Sequence, residues 1–326
     1  MKSLKERILD SAQQDLEEIE TALVENLKPY LPLVSHIARY IMFSGGKRIR
    51  PLLTVLSARL CGYEGDYDKT LSVVFEYLHA ATLLHDDIVD SAEIRRGNPV
   101  AHLIWGSPAT VLVGDFLFAC SSTIVTHTGH IAIIDTLART HAEMSQGEIE
   151  ELLHTKDPTM EEGQYMEIIK RKTAWLMRAA CQAGALLAGA PEHEVEALAQ
   201  YGYNLGVAFQ LVDDLLDYTA DRHVLGKATG GDLREGKLTL PLIHALSRAS
   251  TKDRSYMETI IQHEEIDEKD VDNISKLISK YGGFTYTRRR AEEYINNAKS
   301  YLEVFDSSEA RCLLEDLANY VLERNM

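Results

Sequence analysis

The chain has 326 residues, of which 45% are hydrophobic and 26% charged, and its formal net charge at pH 7 is −16. This composition provides enough apolar material for a large core and excludes a disordered or a collagen-like chain. Because contacts with phosphate need basic surface, the negative charge disfavours extended binding to nucleic acid or to an anionic membrane. It still allows a small local group of basic residues that binds a phosphorylated ligand.

The cysteines and the N-terminal segment bear on the cellular compartment. The four cysteines, at positions 61, 120, 181 and 312, lack the C-x-x-C spacing of disulfide or metal frameworks, so we expect reduced thiols. The first twenty residues are charged throughout and lack the apolar core of a signal peptide. No stretch of about 18 residues is free of charge, as a membrane-spanning helix requires. We therefore expect a cytoplasmic protein without stable membrane insertion.

The prolines divide the chain into long proline-free stretches where helices can run, since proline costs about 3 kcal/mol inside a helix. Apolar residues recur there at steps of three and four, as in Leu16, Ile19, Leu23 and Leu27. The alternating patterns and the Asn-Gly or Asp-Gly turns of β-hairpins are absent. The sequence therefore predicts an all-α protein of about ten to thirteen helices.

Short polar or glycine-containing segments separate the predicted helices: SGGKRIRP, RRGNP, HTKDPT, AGAPE and HVLGKATGGDLREGK. The last segment combines several glycines with both charges, which is typical of a mobile flap over a site. No low-complexity linker and no tandem repeat interrupts the chain, so we expect a single domain over residues 1–326.

Two aspartate clusters of the form D-D-x-x-D are the strongest chemical signal, and each follows an apolar run. The first is Asp86-Asp87-Ile88-Val89-Asp90 and the second is Asp213-Asp214-Leu215-Leu216-Asp217. Residues four apart are neighbours on one face of a helix, so the outer aspartates of each cluster converge. The same spacing predicts one stripe of His79, Asp86 and Asp90, and a second stripe of Gly206, Gln210, Asp213 and Asp217.

Converging carboxylates repel one another unless a cation lies between them. Hard oxygen ligands of this kind suit Mg²⁺, which often bridges carboxylates to the phosphates of a substrate. A single cluster could equally be a solvated helix end, but two copies after apolar helices favour a metal site. A calcium loop is excluded because neither cluster is followed by the glycine and the distal glutamate that such a loop needs.

Basic residues in short glycine-bearing contexts could balance a diphosphate. They include Gly45-Gly46-Lys47-Arg48-Ile49-Arg50-Pro51 and Arg95-Arg96-Gly97, with Lys172 beside Thr173, Lys227 and Lys237. Arginine offers a rigid fork to phosphate oxygens, whereas lysine supplies a point charge. The arginine pair begins five residues after Asp90, which favours a functional role for Arg95 and Arg96.

These motifs resemble those of the trans-isoprenyl diphosphate synthases, also called polyprenyl synthetases. The matching segments are GGKRIRP, HAATLLHDDIVD with RRGNP, the Lys172-Thr173 pair, and FQLVDDLLDY with GKATGGD and GKLTLP. They span roughly residues 45–242 in the family's order. The resemblance implies an isoprenoid synthase-type bundle of helices around a deep central cavity.

The resemblance also implies roles for the residues. Asp86 and Asp90 are similar to one pair of magnesium ligands, and Asp213, supported by Asp217 and Asp214, to the other, with about three Mg²⁺ ions per active site. Isopentenyl diphosphate would be held by Lys47, Arg50, His79 and Arg96. The allylic diphosphate would be held by Arg95, Lys172, Thr173, Gln210, Lys227 and Lys237. The residues implied to act in catalysis are Asp86, Asp90, Asp213, Lys172 and Lys227.

The implied reaction is a head-to-tail (1′-4) condensation by ionisation, condensation and proton elimination, with farnesyl diphosphate as the expected primer. In the family, aromatic residues one turn before the first cluster resemble a floor that stops chain growth. Here that turn carries the small residues Ala81 and Thr82, with Leu78 and Tyr77 one turn deeper, although Tyr77 could equally belong to the core. One helical turn is about 5.4 Å, comparable to an isoprene unit, so we expect about six to ten units, with eight at the centre.

Three rival functions share part of this pattern. A terpene cyclase also ionises an allylic diphosphate, but it does not need the second diphosphate site suggested by Lys47, Arg50 and Arg96. A short-chain (farnesyl or geranylgeranyl) synthase would carry out the same condensation with fewer cycles. A non-catalytic subunit of a hetero-oligomeric synthase could lose its aspartates, whereas this chain keeps both clusters.

The resemblance also suggests an assembly and a destination for the product. We expect a homodimer from the resemblance and, more weakly, from the apolar helix at 109–125. The product would serve quinone side chains.

Overall fold

The computed structural model describes residues 2–27, 31–219 and 229–324, and these residues are almost entirely helical. The α-helices are α1 Leu4–Glu25, α2 Pro32–Phe43, α3 Ile49–Leu60, α4 Tyr67–Val89, α5 Ala101–Trp105, α6 Ser107–Thr126, α7 Ile131–Leu153, α8 Glu162–Ile169, α9 Trp175–Leu187, α10 Glu192–Thr219, α11 Gly231–Arg234, α12 Leu240–Arg248, α13 Thr251–Ile261, α14 Glu268–Lys280, α15 Gly283–Tyr301 and α16 Glu309–Glu323. A π turn, Lys170–Ala174, joins α8 to α9, and a 3₁₀ turn covers Leu302–Val304.

The all-α prediction is confirmed. The short helices α5 and α11 have five and four residues, and α8 and α9 form one helix interrupted by the π turn. Without α5 and α11, and with α8 and α9 counted as one helix, the described residues form 13 helices, within the predicted ten to thirteen. Of the predicted flap, residues 223–237, positions 223–228 with Lys227 lie outside the described residues, whereas residues 229–237 are described and contain α11.

One small hairpin departs from the prediction that such turns are absent. Strands β1 Ile94–Arg95 and β2 Asn98–Pro99 pair antiparallel, with Arg95 opposite Asn98. Arg96 and Gly97 form the connecting turn with φ of 52° and 79°. Two successive residues of positive φ define the tight turn that suits a two-residue hairpin. The turn residues are Arg-Gly rather than Asn-Gly or Asp-Gly, so the sequence pattern did not predict this turn.

The described chain divides into two compact units. The first contains residues 1–140, 176–202 and 301–317. Within it α4 packs against α6, α3 and α1. Buried residues along α4 include Leu71, Leu78 and Leu84, and Ser121 of α6 donates to the carbonyl of Val74 at 3.3 Å. The apolar run before the first aspartate cluster therefore forms core, and the cluster lies where that helix ends.

The second unit contains residues 141–175, 203–300 and 318–326. Within it α12 packs against α8 and α14. The C-terminal part of α10, which carries the second aspartate cluster, buries Leu211, Val212 and Leu215. The prediction of one domain over residues 1–326, and that of a central cavity, stay predictions.

Helix α6 is the one described helix that is long and apolar enough to cross a membrane. Only 44% of its most apolar window is buried. Its buried side carries Val113 and Leu117, which face the first unit's core, whereas Leu112 is 66% exposed. A core helix of a water-soluble protein passes the same length and composition test, so the observation does not by itself indicate a membrane.

Candidate active site

The first aspartate cluster closes helix α4, as the sequence predicted. Asp90 caps the helix, and its N–H donates to the carbonyl of Asp86 at 2.8 Å, so the two residues lie one turn apart. Both are partly exposed. Asp87 is instead 1% exposed and accepts from Nε of Arg95 at 2.7 Å, and its other oxygen has no hydrogen bond among the described residues. The outer aspartates are therefore the accessible pair.

Arg95 was predicted to hold the allylic diphosphate. Its Nε is committed to Asp87, and its side chain is 26% exposed. The guanidinium is thus oriented by the buried carboxylate beside the metal-ligand candidates.

A basic cluster lies beside His79 in the same unit. Burial, followed by the charges of Arg50, Arg96, Arg95 and Arg48, lowers the pKa of the His79 imidazole well below its usual range. The glycines of the GGKRIRP loop approach Arg96 closely: a Cβ added to Gly45 would lie 3.7 Å from its Cδ. The structure therefore brings together Arg50, His79 and Arg96, three of the four residues predicted for isopentenyl diphosphate.

Lys47, the fourth of these residues, is exposed in the same loop. Burial first, then the positive charge of Arg95, lowers the pKa of Arg96. Cations that are gathered at this density repel one another, so an anion here would relieve the repulsion. The cluster is an unusual feature in a chain with a net charge of −16.

Arg48 was given no role by the sequence analysis. In the structure its side chain is buried and pairs with groups of the first unit. It has a left-handed backbone with φ of 51° and is 6% exposed. Its Nη1 donates to Glu76 at 2.7 Å and to the carbonyl of Met42 at 2.9 Å. A signal was available, because Glu76 is the one acid in the apolar run 71–84 of α4 and needs a cation when buried.

The second aspartate cluster separates into three different environments. Asp213 is partly exposed and its Oδ1 lies 2.6 Å from Nη2 of Arg324. Asp214 is 2% exposed and accepts hydrogen bonds from the Tyr165 hydroxyl and, at 2.8 Å, from Gln210. The two oxygens of Asp217 accept from the backbone N–H of Gly231 at 2.9 Å and of Asp232 at 3.2 Å.

Burial raises the pKa values of several carboxyl groups around this cluster. It raises the pKa of Asp214 to about 7, against the opposing effect of its hydrogen bonds from Tyr165 and Gln210. Burial likewise raises the pKa of Asp217, and it raises that of Asp232 well above the usual range. A divalent cation would offset this unfavourable concentration of negative charge.

The chemistry of these donors fits magnesium. No three side chains of His, Cys, Asp or Glu in the described ranges already enclose a metal position. Mg²⁺ is commonly held through one or two carboxylates and completes its shell with waters and substrate phosphates. The outer pair Asp86 and Asp90, and separately Asp213, are carboxylates of the type that this coordination uses.

A pocket in the second unit gathers residues predicted for the allylic diphosphate. Lys172, Thr173, Gln210 and Lys237 line it together with Tyr165 and Asp214, among others. The Thr173 hydroxyl donates to the Gln210 amide oxygen at 2.9 Å. The structure therefore brings four of the six predicted residues together. Arg95 lies in the first unit, and Lys227 lies outside the described residues.

Acids that the sequence analysis missed hold the two lysines of this pocket. Nζ of Lys172 lies 2.8 Å from Glu148 and 2.7 Å from Glu151, and Nζ of Lys237 lies 2.8 Å from Glu235. Glu148 and Glu151 are three apart near the end of α7, a spacing that places them on one face. That spacing was the only signal in the sequence.

The predicted chain-length residues lie on α4 as expected. Tyr77, Leu78 and Ala81 are completely buried and Thr82 is half-buried. The Tyr77 hydroxyl donates to the carbonyl of Leu23 in α1 at 2.8 Å, which fixes its ring in the core. Contact of these residues with a growing chain stays a prediction.

Comparison with known proteins places this geometry in a family. Residues 31–278 match the family model described as polyprenyl synthetase. The chain belongs to the polyprenyl synthetase family. It is 38% identical over 320 residues to octaprenyl diphosphate synthase of Escherichia coli, covering 98% of this chain and 99% of that protein. It is 34% identical over 322 residues to a short-chain isoprenyl diphosphate synthase of Methanothermobacter thermautotrophicus, covering 97% and 98%.

A solved relative has the same fold. The crystal structure of a polyprenyl synthase from Caulobacter crescentus, complexed with calcium and isoprenyl diphosphate, is 38% identical with a TM-score of 0.93, covering 99% of this chain and 98% of that one. Polyprenyl synthetases are prenyltransferases that use isopentenyl diphosphate and an allylic diphosphate. The predictions of the family, of an isoprenoid synthase-type fold and of a trans-polyprenyl diphosphate synthase are confirmed.

Proposed function

We propose that this polyprenyl synthetase makes a long product, octaprenyl diphosphate or a neighbour of similar length. The observation that carries the condensation reaction is that both aspartate clusters are intact and that each unit holds its own set of cations, whereas the length rests on the small residues Ala81 and Thr82. Arg50, Arg95 and Arg96 gather in the first unit, and Lys172 and Lys237 line the pocket of the second. A synthase needs sites for two diphosphates, whereas a cyclase needs one.

Four aspartates would hold magnesium: Asp86, Asp90, Asp213 and Asp217. Magnesium, when bound, would neutralise the negative charge that develops on the departing diphosphate. The buried carboxylate of Asp87, next to Asp86 in the sequence, orients Arg95 through a hydrogen bond, and that of Asp214 orients Gln210. The solved relative named above binds calcium and isoprenyl diphosphate, which supports a divalent cation and a diphosphate ligand here.

The basic residues divide into two diphosphate sites in this proposal. Isopentenyl diphosphate is held by Lys47, Arg50, His79 and Arg96. The allylic diphosphate is held by Arg95, Lys172, Thr173, Gln210, Lys227 and Lys237. Because His79 stays neutral near the arginines, it donates one hydrogen bond without adding a further like charge.

The reaction then proceeds without a nucleophilic side chain. The bond between C1 of the allylic substrate and its diphosphate oxygen breaks, and the electron pair leaves with the diphosphate. Lys172 and Lys237 hold the leaving oxygens and stabilise their charge. The double bond of isopentenyl diphosphate attacks the allylic cation and forms the new 1′-4 bond. The attack leaves a cation on C3 of the isopentenyl unit. A proton then leaves C2 to an oxygen of the departed diphosphate, and the C–H electron pair forms the C2–C3 double bond of a longer allylic diphosphate.

Product length depends on a few residues rather than on overall similarity, since relatives of 38% and 34% identity carry long-chain and short-chain names. The small residues Ala81 and Thr82 support a long product, with farnesyl diphosphate as primer and quinone side chains as destination. A short-chain synthase is the alternative.

The chain is also proposed to act as a cytoplasmic homodimer. The N-terminal half of α6 exposes apolar residues as well as the charged Asp115: Val111 is 38% and Leu112 66% exposed, and Leu103 and Ile104 of the preceding helix are 58% and 47% exposed. Apolar patches of this kind often mark protein interfaces. A second copy of the chain would cover this side. A non-catalytic partner subunit is the alternative occupant.

One experiment separates these possibilities. The purified chain is incubated with Mg²⁺, farnesyl diphosphate and isotopically labelled isopentenyl diphosphate, and the product is measured by mass spectrometry. We expect about six to ten isoprene units. A product of three or four units would identify a short-chain synthase, and a hydrocarbon formed without isopentenyl diphosphate would identify a cyclase. Absence of turnover by the chain alone would indicate a subunit that needs a partner.

A further inference from the structure

The π turn Lys170–Ala174 carries Lys172 and Thr173, and two buried glycines from other helices contact it. Gly147 lies in α7 and Gly206 in α10. A Cβ added to Gly147 would lie 2.8 Å from the backbone nitrogen of Lys172, and one added to Gly206 would lie 2.6 Å from Cα of Ala174. Non-bonded carbon atoms prefer about 3.5–4.0 Å. Because the opposing atoms are backbone, they cannot rotate aside.

Each glycine stands next to a side chain that binds the π turn. Glu148 follows Gly147 directly, and its Oε2 lies 2.8 Å from Nζ of Lys172. Gln210 lies one helical turn after Gly206 and accepts from the Thr173 hydroxyl at 2.9 Å. The close approach of each helix therefore sets the distance over which Glu148 and Gln210 can reach the turn.

Glycine inside a helix is unfavourable relative to alanine, so two buried helical glycines at one turn need a reason. The π turn itself is rare and is often associated with functional sites. The π turn and the two close glycine contacts both occur at Lys172 and Thr173, which are among the residues that line the pocket. Close approach of the α7 and α10 backbones to the π turn leaves no room for a Cβ and so accounts for both glycines.

We propose that Gly147 and Gly206 are positioning residues that fix the π turn, so that Lys172 and Thr173 are aligned on the allylic diphosphate. This inference rests on the proposed function, in which those two residues hold that diphosphate. A methyl group at either glycine must move the turn by several tenths of an ångström. Misplacement by about 1 Å can cost about 100-fold in rate.

The test uses binding rather than turnover. The dissociation constant of farnesyl thiolodiphosphate, an unreactive allylic analogue, is measured by titration calorimetry for the full-length wild type, Gly147→Ala, Gly206→Ala and Lys172→Ala. We expect each glycine variant to bind the analogue about tenfold more weakly. Adding Gly206→Ala to Lys172→Ala/Thr173→Ala should change binding by less than about twofold, because both groups being positioned are already gone.

Two matched glycines control for general effects of the substitution. A Cβ on Gly163 of α8 would meet nothing within 4 Å, so Gly163→Ala should bind as wild type. A Cβ on Gly184 of α9, ten residues after the π turn ends, would clash with the carbonyl oxygen of Thr54 in α3. Gly184→Ala should therefore lower the melting temperature but leave analogue binding unchanged. If Gly206→Ala does not fold, Gly147→Ala carries the test.

The outcomes distinguish this inference from the proposed function. If Lys172→Ala weakens binding and the glycine variants do not, the positioning role is wrong and the proposed function stands. Equal weakening by Gly184→Ala, or multiplicative losses when Gly206→Ala is added to Lys172→Ala/Thr173→Ala, would also overturn positioning. If Lys172→Ala binds the analogue as tightly as wild type, the role of Lys172 is wrong and the positioning inference falls with it.

Discussion

The guanidinium of Arg324 pairs with the carboxylate of Asp213, with Nη2 2.6 Å from Oδ1. Arg324 follows helix α16, its side chain is 12% exposed, and its guanidinium carbon lies 4.4 Å from the ring centre of Phe209. Its Nε and Nη1 are buried without a hydrogen bond among the described residues. A predicted metal ligand thus already has a cationic partner from a distant part of the sequence.

Removing that partner should strengthen metal binding. We expect Arg324→Ala to bind Mn²⁺ or Mg²⁺ about fivefold more tightly, since a partly exposed ion pair is worth about 1 kcal/mol and no longer competes. Without metal, the variant should melt at a lower temperature. Titration calorimetry and thermal unfolding test both. The control is Arg311→Ala, which breaks the 3.0 Å pair with Glu315 in α16 and should leave metal affinity unchanged. Weaker metal binding by Arg324→Ala would contradict the competition.

The outer aspartates should matter for turnover. We expect Asp86→Ala and Asp213→Ala to lower turnover by at least about 10³-fold, because each removes a ligand of the metal that stabilises the leaving diphosphate. Relief of carboxylate repulsion should leave the helical fold intact, which circular dichroism can verify. Near-normal turnover by folded protein would refute the ligand assignment.

The inner aspartate of the first cluster should behave differently. Asp87 is buried and pairs with Arg95, so Asp87→Ala leaves the guanidinium without its partner. We expect the free energy of unfolding to fall by about 3 kcal/mol. Urea denaturation of Asp87→Ala and Asp86→Ala measures the contrast. If Asp86→Ala proved the more destabilising of the two, the division into inner and outer roles would be wrong.

The basic cluster predicts separate diphosphate sites. We expect Arg96→Ala to raise KM for isopentenyl diphosphate more than KM for the allylic substrate, since Arg96 lies with Arg50 and His79, which are proposed to hold isopentenyl diphosphate. Steady-state kinetics with each substrate varied in turn provides the measurement. The control is Arg139→Ala, which removes an arginine that is 71% exposed. Equal increases in both KM values would argue against two sites.

The lowered pKa of His79 makes stability depend on pH. In the unfolded chain His79 takes up a proton at about pH 6.5, whereas in the folded chain burial and four arginines keep it neutral. The charged groups facing it are Arg48, the N-cap of α3, Arg50 of α3, and Arg95 and Arg96 of the hairpin. Because the unfolded chain binds more protons, stability is fully present above about pH 6.5 and falls as the pH drops toward the folded pKa.

The variant His79→Gln removes this term, because glutamine does not titrate. Between pH 7.5 and 5.5 the wild type should lose up to about 1.4 kcal/mol more stability than the variant. Urea denaturation at both pH values measures the difference. His127→Gln, at an exposed position, serves as the control. Equal losses in wild type and His79→Gln would show that His79 is protonated in the folded state.

Much of this site follows from spacing alone, because helical periodicity is local. The D-D-x-x-D spacing predicted that Asp86 and Asp90 share a face at the end of an apolar helix. It could not predict that Asp87 turns into the core, since that depends on which side of α4 its neighbours cover. Arg324 on Asp213 is a long-range contact that no local pattern encodes.

The pocket lined by Lys172 and Lys237 was likewise predictable from the sequence only in part. The resemblance to a family identified Lys172, Thr173, Gln210 and Lys237, and the fold brings them together. The acids that hold Lys172 were missed because two glutamates near the end of a charged helix look like an ordinary solvated face. The π turn had no signal in the sequence, since it depends on how closely α7 and α10 approach.

The last prediction concerns product length. Ala81 lies five residues before Asp86 on α4 and is completely buried, and Ala80 beside it is buried at 3% exposure. We expect Ala81→Phe to shorten the product to about three or four units, since its ring would occupy the first turn below the aspartates while the ionisation chemistry stays largely intact. Ala80→Phe is the matched control, because it adds the same ring to a similarly buried helix position about 100° away.

Both phenylalanine variants should lose about 1–3 kcal/mol of stability through overpacking, so a general packing effect would appear in both. Only Ala81→Phe should shift the product, as measured by mass spectrometry of chains grown from labelled isopentenyl diphosphate. A full-length product from Ala81→Phe would mean that this side of α4 does not line the growing chain. Shortening by both variants alike would mean that cavity volume, rather than one helix face, limits the length.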